Sequence, residues 1–210
     1  MALEQEIKLV VTGEQPLDIS ALPLVGFQRS ELKTTRLVST YFDTPDFDLI
    51  KQGLGLRLRF DGENWLQTVK DTGQVADGLH QRQEWEHPLS GQSFDLAVLR
   101  QTPLQSIVDD EQLWATLSPI FTTEFNRQHC LLETEQHTTI ELAYDRGRVY
   151  TATSEAPIHE VELELKSGQL DYLKKLAQDL CLTEPLKASN QSKAKQGYEL
   201  ALKASSSDLS

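Results

Sequence analysis

The chain has 210 residues, 39% of them hydrophobic and 25% charged, and its 20 Lys and Arg against 32 Asp and Glu leave a net charge of −12. That acid excess argues against a nucleic-acid backbone or an anionic membrane as the main partner, although a local basic cluster can still hold a small anion. No apolar run approaches the roughly 20 residues of a bilayer span. Met1-Ala2-Leu3-Glu4 lacks signal-peptide character, and only Cys130 and Cys181 are present, so a reducing cytoplasm is expected rather than a disulfide framework.

Glu4 to Val11 alternates polar and apolar residues, the period of an extended strand. Glu4, Glu6 and Lys8 share one face, and Leu3, Ile7, Leu9 and Val11 the other. Two carboxylates about 7 Å apart along a strand can share a hard divalent cation such as Mg²⁺ or Mn²⁺. An amphipathic strand with a solvated charged face is the plainer alternative. Gly13 to Gly26, with Pro16 and Pro23, predicts a short helix or helical turn. Leu37 to Asp43 is strand-like, Thr44-Pro45-Asp46 opens a turn, and Phe47 to Gln52 is a short helical piece.

Leu54 to Phe60 alternates cleanly, with Arg57 and Arg59 opposite four apolar residues. Asp61-Gly62-Glu63-Asn64 turns into a return strand over Trp65 to Lys70. Leu79 to His87 sets Arg82, Glu84 and Glu86 on one face. Residues 94 to 118 suggest two short helices. Strands are predicted at Ile120 to Leu132, Thr138 to Asp145, Arg148 to Ala152 and Ile158 to Lys166, with Asp145-Arg146-Gly147 as a turn. Leu170 to Leu182 has a helical apolar stripe, and Lys193 to Lys203 is a final helix before a frayed end.

Eight or more antiparallel strands favour a barrel or a sandwich. The charges are sorted by strand: Arg57, Arg59, Lys70 and Arg127 against Glu4, Glu6, Glu160, Glu162 and Glu164. Like charges side by side on a bare sheet face repel, and amphipathic helices need apolar sheet to cover. The fold class expected is therefore α+β and mainly antiparallel β: a closed, eight-stranded, tunnel-like barrel with a charged lumen and helices packed outside. A lumen with acidic and basic walls suits a linear polyphosphate, held by Arg and Lys and bridged to carboxylates by divalent metal. Phosphoryl transfer needs positioning and charge neutralisation more than a nucleophilic side chain.

The opening Glu4-x-Glu6-x-Lys8 resembles the signature of the CYTH superfamily, the triphosphate tunnel metalloenzymes. The likeness continues through Ser39 to Thr44, Leu56-Arg57-Leu58-Arg59, the Lys70 strand and Arg82 to Glu86. It also takes in Phe125-Asn126-Arg127, Tyr144 to Gly147, Glu160 to Lys166 and Ser192 to Lys195. It implies a CYTH domain over residues 1–203 with a disordered tail at 204–210. The wording is most similar to bacterial inorganic triphosphatases, whose longer members add a second, helical domain.

The resemblance implies Mg²⁺- or Mn²⁺-dependent hydrolysis of inorganic triphosphate, with Glu4, Glu6, Lys8, Asp145 and Glu162 catalytic. Lys8, Arg57, Arg59, Lys70, Arg82, Arg127 and Lys193 would hold phosphates, with Lys193 preferred to Lys187. Glu4, Glu6, Asp145, Glu160, Glu162 and Glu164 would hold metal. Thiamine triphosphatase, a class IV-type adenylate cyclase or a non-catalytic polyphosphate- or nucleotide-binding module are the alternatives. The expected partner is a small anionic triphosphate, without nucleic acid or membrane, bound by a monomer or homodimer in the cytoplasm. Of the inward positions, none supplies an aromatic or amide set to grip a ring.

Overall fold

Strand β1 (Ala2–Val11) is where the sheet meets itself. In the computed structural model, which describes residues 2–207, β1 pairs antiparallel with β7 (Leu79–Leu89) on one side and β10 (Glu155–Ser167) on the other. The circuit closes through β9 (Thr139–Tyr150), β8 (Ser118–Glu133), β3 (Lys33–Asp43), β4 (Leu54–Phe60) and β5 (Trp65–Asp71). Among the described residues this makes a closed antiparallel barrel of eight strands, which leaves no long unpaired edge. Short strands β2 (Gln28–Arg29), β6 (Gln74–Ala76) and β11 (Leu186–Ala188) pair outside that circuit, on β8, β7 and β1.

Period-two alternation divides every wall residue between outside and lumen. Outward Ile7, Leu9, Val11, Leu142, Val161 and Leu163 are covered by helix α5 (Leu170–Thr183), which buries Leu173, Leu176, Ala177 and Leu180 against them. Each leucine so buried contributes about 1.5–3 kcal/mol. On the opposite wall, Leu54, Leu56 and Val69 are covered by α1 (Asp48–Lys51), α2 (Leu96–Leu99), α3 (Gln105–Asp109) and α4 (Glu111–Trp114). Asp95 and Asp110 cap α2 and α4, each accepting from two backbone N–H groups of the first turn.

Helix α6 (Lys193–Ser207) behaves differently, because it packs on inward-facing positions. Its Tyr198 joins Leu37, Tyr41, Phe121, Phe125, Val149 and Ile158 in an apolar cluster that fills one end of the lumen. Gly197 permits the approach, since a Cβ there would lie 2.2 Å from the Phe121 ring. Tyr198 Oη donates to Asp43 Oδ2 at 3.1 Å, and Asp43 also accepts from the backbone of Thr44, Leu49 and Ile50. One buried carboxylate thus ties β3, α1 and α6 together.

Four expectations change. Thr138 to Asp145 and Arg148 to Ala152 are one strand, β9, running unbroken through Asp145-Arg146-Gly147. Gly147 is there for a close strand approach rather than a turn: a Cβ would meet the Glu124 carbonyl oxygen at 2.1 Å. Residues 13–26 contain turns but no helix, and bury Ile19 and Leu22 on the outer wall. Residues 94–118 form three short helices instead of two. Helix α6 lies against the lumen side, where the final helix was expected outside with the others, and it continues to Ser207. The remainder of the expected tail, 208–210, lies outside the described residues.

Candidate active site

The charged positions of β1, β4, β5, β7, β8, β9 and β10 converge on one cavity of about 1050 Å³. Register explains the convergence. Glu4 stands opposite Arg82, Lys8 opposite Glu162, Arg127 opposite Asp145, and Asp145 opposite Glu160. A one-residue slip in any of these pairings would turn the charges outward.

Two ionic groups form around β1. In the first, Lys70 Nζ lies 2.8 and 3.0 Å from the two oxygens of Glu4, while Arg82 donates at 2.6 Å to Glu4 and at 2.6 Å to Glu6. Burial would raise the Glu4 carboxyl, but Lys70 and Arg82 outweigh it and hold Glu4 well below the usual range. In the second, Lys8 lies 3.0 Å from Glu6 and bonds Glu162. Arg127 grips Asp145 bidentately at 2.8 and 2.6 Å and also bonds Glu162. Lys193, from the first turn of α6, lies 2.7 Å from Asp145 and 2.9 Å from Glu162 and bonds Glu160.

The carboxyls of this second group diverge. Burial and the neighbouring Glu162 push Glu160 up, although Lys193 and Lys8 oppose them. Burial also works on Glu162 and Asp145, but adjacent cations outweigh it and both stay below their usual values. Asp145, Glu160 and Glu162 offer oxygens that all lie within 4.8 Å of one another. An all-carboxylate donor set of this size fits a hard divalent cation.

The facing wall is short of counter-charge. Arg57 lies 3.6 Å from both Glu84 and Glu86, at the long end of ion-pair range, and its buried Nε has no partner. Arg59 donates Nε to the Ser39 hydroxyl at 2.9 Å rather than to a carboxylate. Burial, then repulsion from Arg57 and Arg127, lowers the Arg59 guanidinium to about 10. Two guanidiniums thus stand side by side on this wall, and Arg59 has a hydroxyl rather than a carboxylate as its partner.

A family model described as the CYTH domain matches residues 2–198. The chain belongs to the CYTH family. An inorganic triphosphatase from Haemophilus influenzae is 36% identical over 208 residues, 97% of this chain and 56% of that protein, so the chain spans about half the length of the curated relative. In fold it is similar to a Hippeastrum protein described by an adenylyl cyclase name and a dominant triphosphatase activity, with TM-score 0.60, 18% identity, and 93% and 95% of the two chains covered. The PH1819 protein of Pyrococcus horikoshii aligns with TM-score 0.51, 16% identity, and 92% and 98% coverage.

Within this CYTH chain, Glu4, Glu6, Lys8, Arg57, Arg59, Lys70, Arg82, Arg127, Glu162, Glu164 and Lys193 all line the cavity, with Asp145 and Glu160 beneath Lys193. Arg82 is engaged with carboxylates rather than aimed freely at the lumen. Glu164 stands apart from the Asp145 group, bonded to Lys166 at 2.7 Å, and burial raises its carboxyl.

Further residues line the same cavity. Glu141 lines the cavity opposite Glu164 in register, 3.7 Å from Arg127. It shares parity with Asp145 within Thr138 to Asp145, and that parity is the sequence signal that marks it as inward-facing. Tyr41, Tyr198 and Asn190 also line the cavity, so the lumen does hold aromatic and amide groups. Tyr41 stacks on Phe121 at 4.4 Å, and no local pattern identifies it as inward-facing.

Proposed function

We propose that this chain is a divalent-metal-dependent triphosphatase whose preferred substrate is inorganic triphosphate, hydrolysed with water to pyrophosphate and phosphate. The observation that carries this reading is the pair Arg57 and Arg59, one with an unpartnered buried Nε and the other bonded only to a hydroxyl, facing carboxylates across one lumen. A buried donor without an acceptor costs about 1–3 kcal/mol, and a phosphate oxygen relieves it. The triphosphatase activity of the Haemophilus relative supports the reading.

In this mechanism Arg57 and Arg59 hold the terminal phosphate groups through charge-assisted hydrogen bonds, Arg in the bidentate manner its planar fork allows. Lys70 and Arg127 extend the basic path on either side. Lys8, between Glu6 and Glu162, would neutralise charge that builds on the leaving pyrophosphate. Glu4, Glu6, Asp145, Glu160 and Glu162, with Glu164 further out, are the residues that would hold Mg²⁺ or Mn²⁺. Such an ion supplies Lewis-acid polarisation of phosphoryl oxygens. The chain's own contribution is preorganisation, since the guanidiniums are already desolvated and aligned before substrate arrives.

A second reading comes from the cavity lining. Ile50, Leu54, Val75 and Leu202 add apolar surface to the same cavity, so an organic head group, as in thiamine triphosphate or ATP, has somewhere to rest. Initial rates on inorganic triphosphate, thiamine triphosphate and ATP, with Mg²⁺ and with Mn²⁺, decide between them. The expected result is kcat/KM for inorganic triphosphate at least about tenfold above the others, a gap of about 1.4 kcal/mol. A preference for either organic triphosphate, or cyclic AMP as the main product from ATP, overturns the substrate while leaving the fold untouched. Excess chelator should stop the reaction.

No helix among the described residues is long and apolar enough to cross a membrane. Both cysteines are free thiols, which supports a reducing, cytoplasmic setting.

A further inference from the structure

Lys193 occupies an unusual place for a phosphate-binding lysine. Its ammonium lies among the oxygens of Asp145, Glu160 and Glu162, 2.7 Å from the first, bonded to the second and 2.9 Å from the third. The Phe125 ring centroid is 4.9 Å away on another side, and the side chain is 8% exposed. The three oxygens lie within 4.8 Å of one another, and a hard divalent cation takes carboxylate oxygens at about 2.0–2.6 Å. An ammonium and a metal ion cannot share that centre.

We propose that Lys193 is the resident counter-cation of the Asp145–Glu160–Glu162 cluster, and that a divalent cation enters the cluster only by displacing the lysine into the lumen. The proposal rests on the metal-dependent reading above and adds a competition to it. The chain is built to permit the exchange. Helix α6 is fastened at Gly197 against Phe121 and at Tyr198 to Asp43, at 3.1 Å, while Lys193 is the first residue of the helix. The first turn can shift while the fastening points hold. The displaced ammonium then faces the phosphate path, where its charge compensates substrate rather than protein. Metal and lysine thus exchange roles, while Arg127 stays on Asp145 and Glu162 and Lys8 on Glu162.

The consequence runs against the usual expectation that removing a lysine from an active site only weakens it. Apparent metal affinity is the intrinsic affinity scaled by the fraction of molecules whose site is open. A lysine seated nine-tenths of the time weakens it about tenfold. Mn²⁺ titration of substrate-free protein, followed by electron paramagnetic resonance of the free ion, should therefore give a Kd about tenfold lower for Lys193→Met than for the wild-type chain. Amine labelling read by peptide mass spectrometry gives the second measurement, on wild-type protein alone. Lys193 should be protected without metal and severalfold more reactive at saturating Mn²⁺, with Lys175 on the far surface unchanged as the control.

Equal or weaker Mn²⁺ binding by Lys193→Met overturns the competition, as does unchanged Lys193 labelling on metal addition. Should the variant fail to fold, the labelling result decides by itself. Absence of Mn²⁺ binding by both proteins removes the metal-dependent reading and this proposal with it. Binding of equal strength removes the proposal alone.

Discussion

The lumen has two halves built on the same strand faces. On β8 the inward face carries Phe125 and then Arg127; on β9 it carries Val149 and then Asp145, with Gly147 between; on β10 it carries Ile158 and then Glu160. One or two steps along each strand separate an apolar plug, closed by Tyr198 of α6, from a buried ionic network. The apolar half is shape-matched, and its contacts stabilise the barrel. The ionic half is a poor source of stability, since desolvating charged groups offsets much of their mutual attraction. What that half supplies is a set of charges fixed in place by the barrel walls.

Phe125→Ala tests the apolar half and should have the largest effect. Phe125 is 2% exposed and belongs to one apolar cluster with Tyr198 and Val149, and truncation of such a ring costs about 3–5 kcal/mol. The urea midpoint should fall accordingly, and Lys193 and Arg127 both lose a ring face lying 4.9 and 5.8 Å away. A loss below about 1 kcal/mol would show that α6 does not seal that end.

Glu6→Gln should do the reverse. Its carboxylate touches Lys8 and Arg82, and Gln keeps the shape while removing a proposed metal ligand. We expect kcat lower by about 10²–10³, with the unfolding midpoint almost unmoved. Near-native turnover across a Mg²⁺ and Mn²⁺ titration would take Glu6, and by the same test Glu4, out of the metal site.

Arg57→Ala comes next. A hydrogen bond to a charged group contributes about 1.5–3 kcal/mol, and a phosphate contact acts in ground and transition states alike. Triphosphate affinity measured by calorimetry and kcat/KM should fall together. Unchanged affinity would move the guanidinium pair away from the substrate. The smallest effect belongs to Lys175→Ala on α5, whose pair with Asp179 spans 2.9 Å with the lysine 72% exposed. Thermal unfolding should register no more than about 0.5 kcal/mol, and activity should not change.

Parity was legible wherever a strand alternated without interruption. Leu54 to Phe60 is β4 to the residue, and its alternation alone puts Arg57 and Arg59 on one face. Glu4, Glu6 and Lys8 on β1, and the three glutamates of β10, were equally plain, because a two-residue period is a local property of an extended chain. Asp145-Arg146-Gly147 misled, since Asp and Gly are turn formers in most contexts. Here Gly147 answers instead to the Glu124 backbone 2.1 Å from where its Cβ would stand, a neighbour more than 20 positions away.

Local alternation therefore determined which residues share a face, and the sorted charges made a closed barrel the consistent arrangement for those faces. Tertiary structure decided what each charge meets. That Lys193 enters the Asp145 cluster depends on α6 crossing to the lumen side, and the crossing depends on Gly197 meeting Phe121 and Tyr198 reaching Asp43. Phe121, Asp43 and Asp145 all lie more than 30 residues from Lys193 in the chain. An ion pair specifies only that opposite charges approach; which lysine reaches which carboxylate is settled by packing, and packing is a property of the closed barrel as a whole.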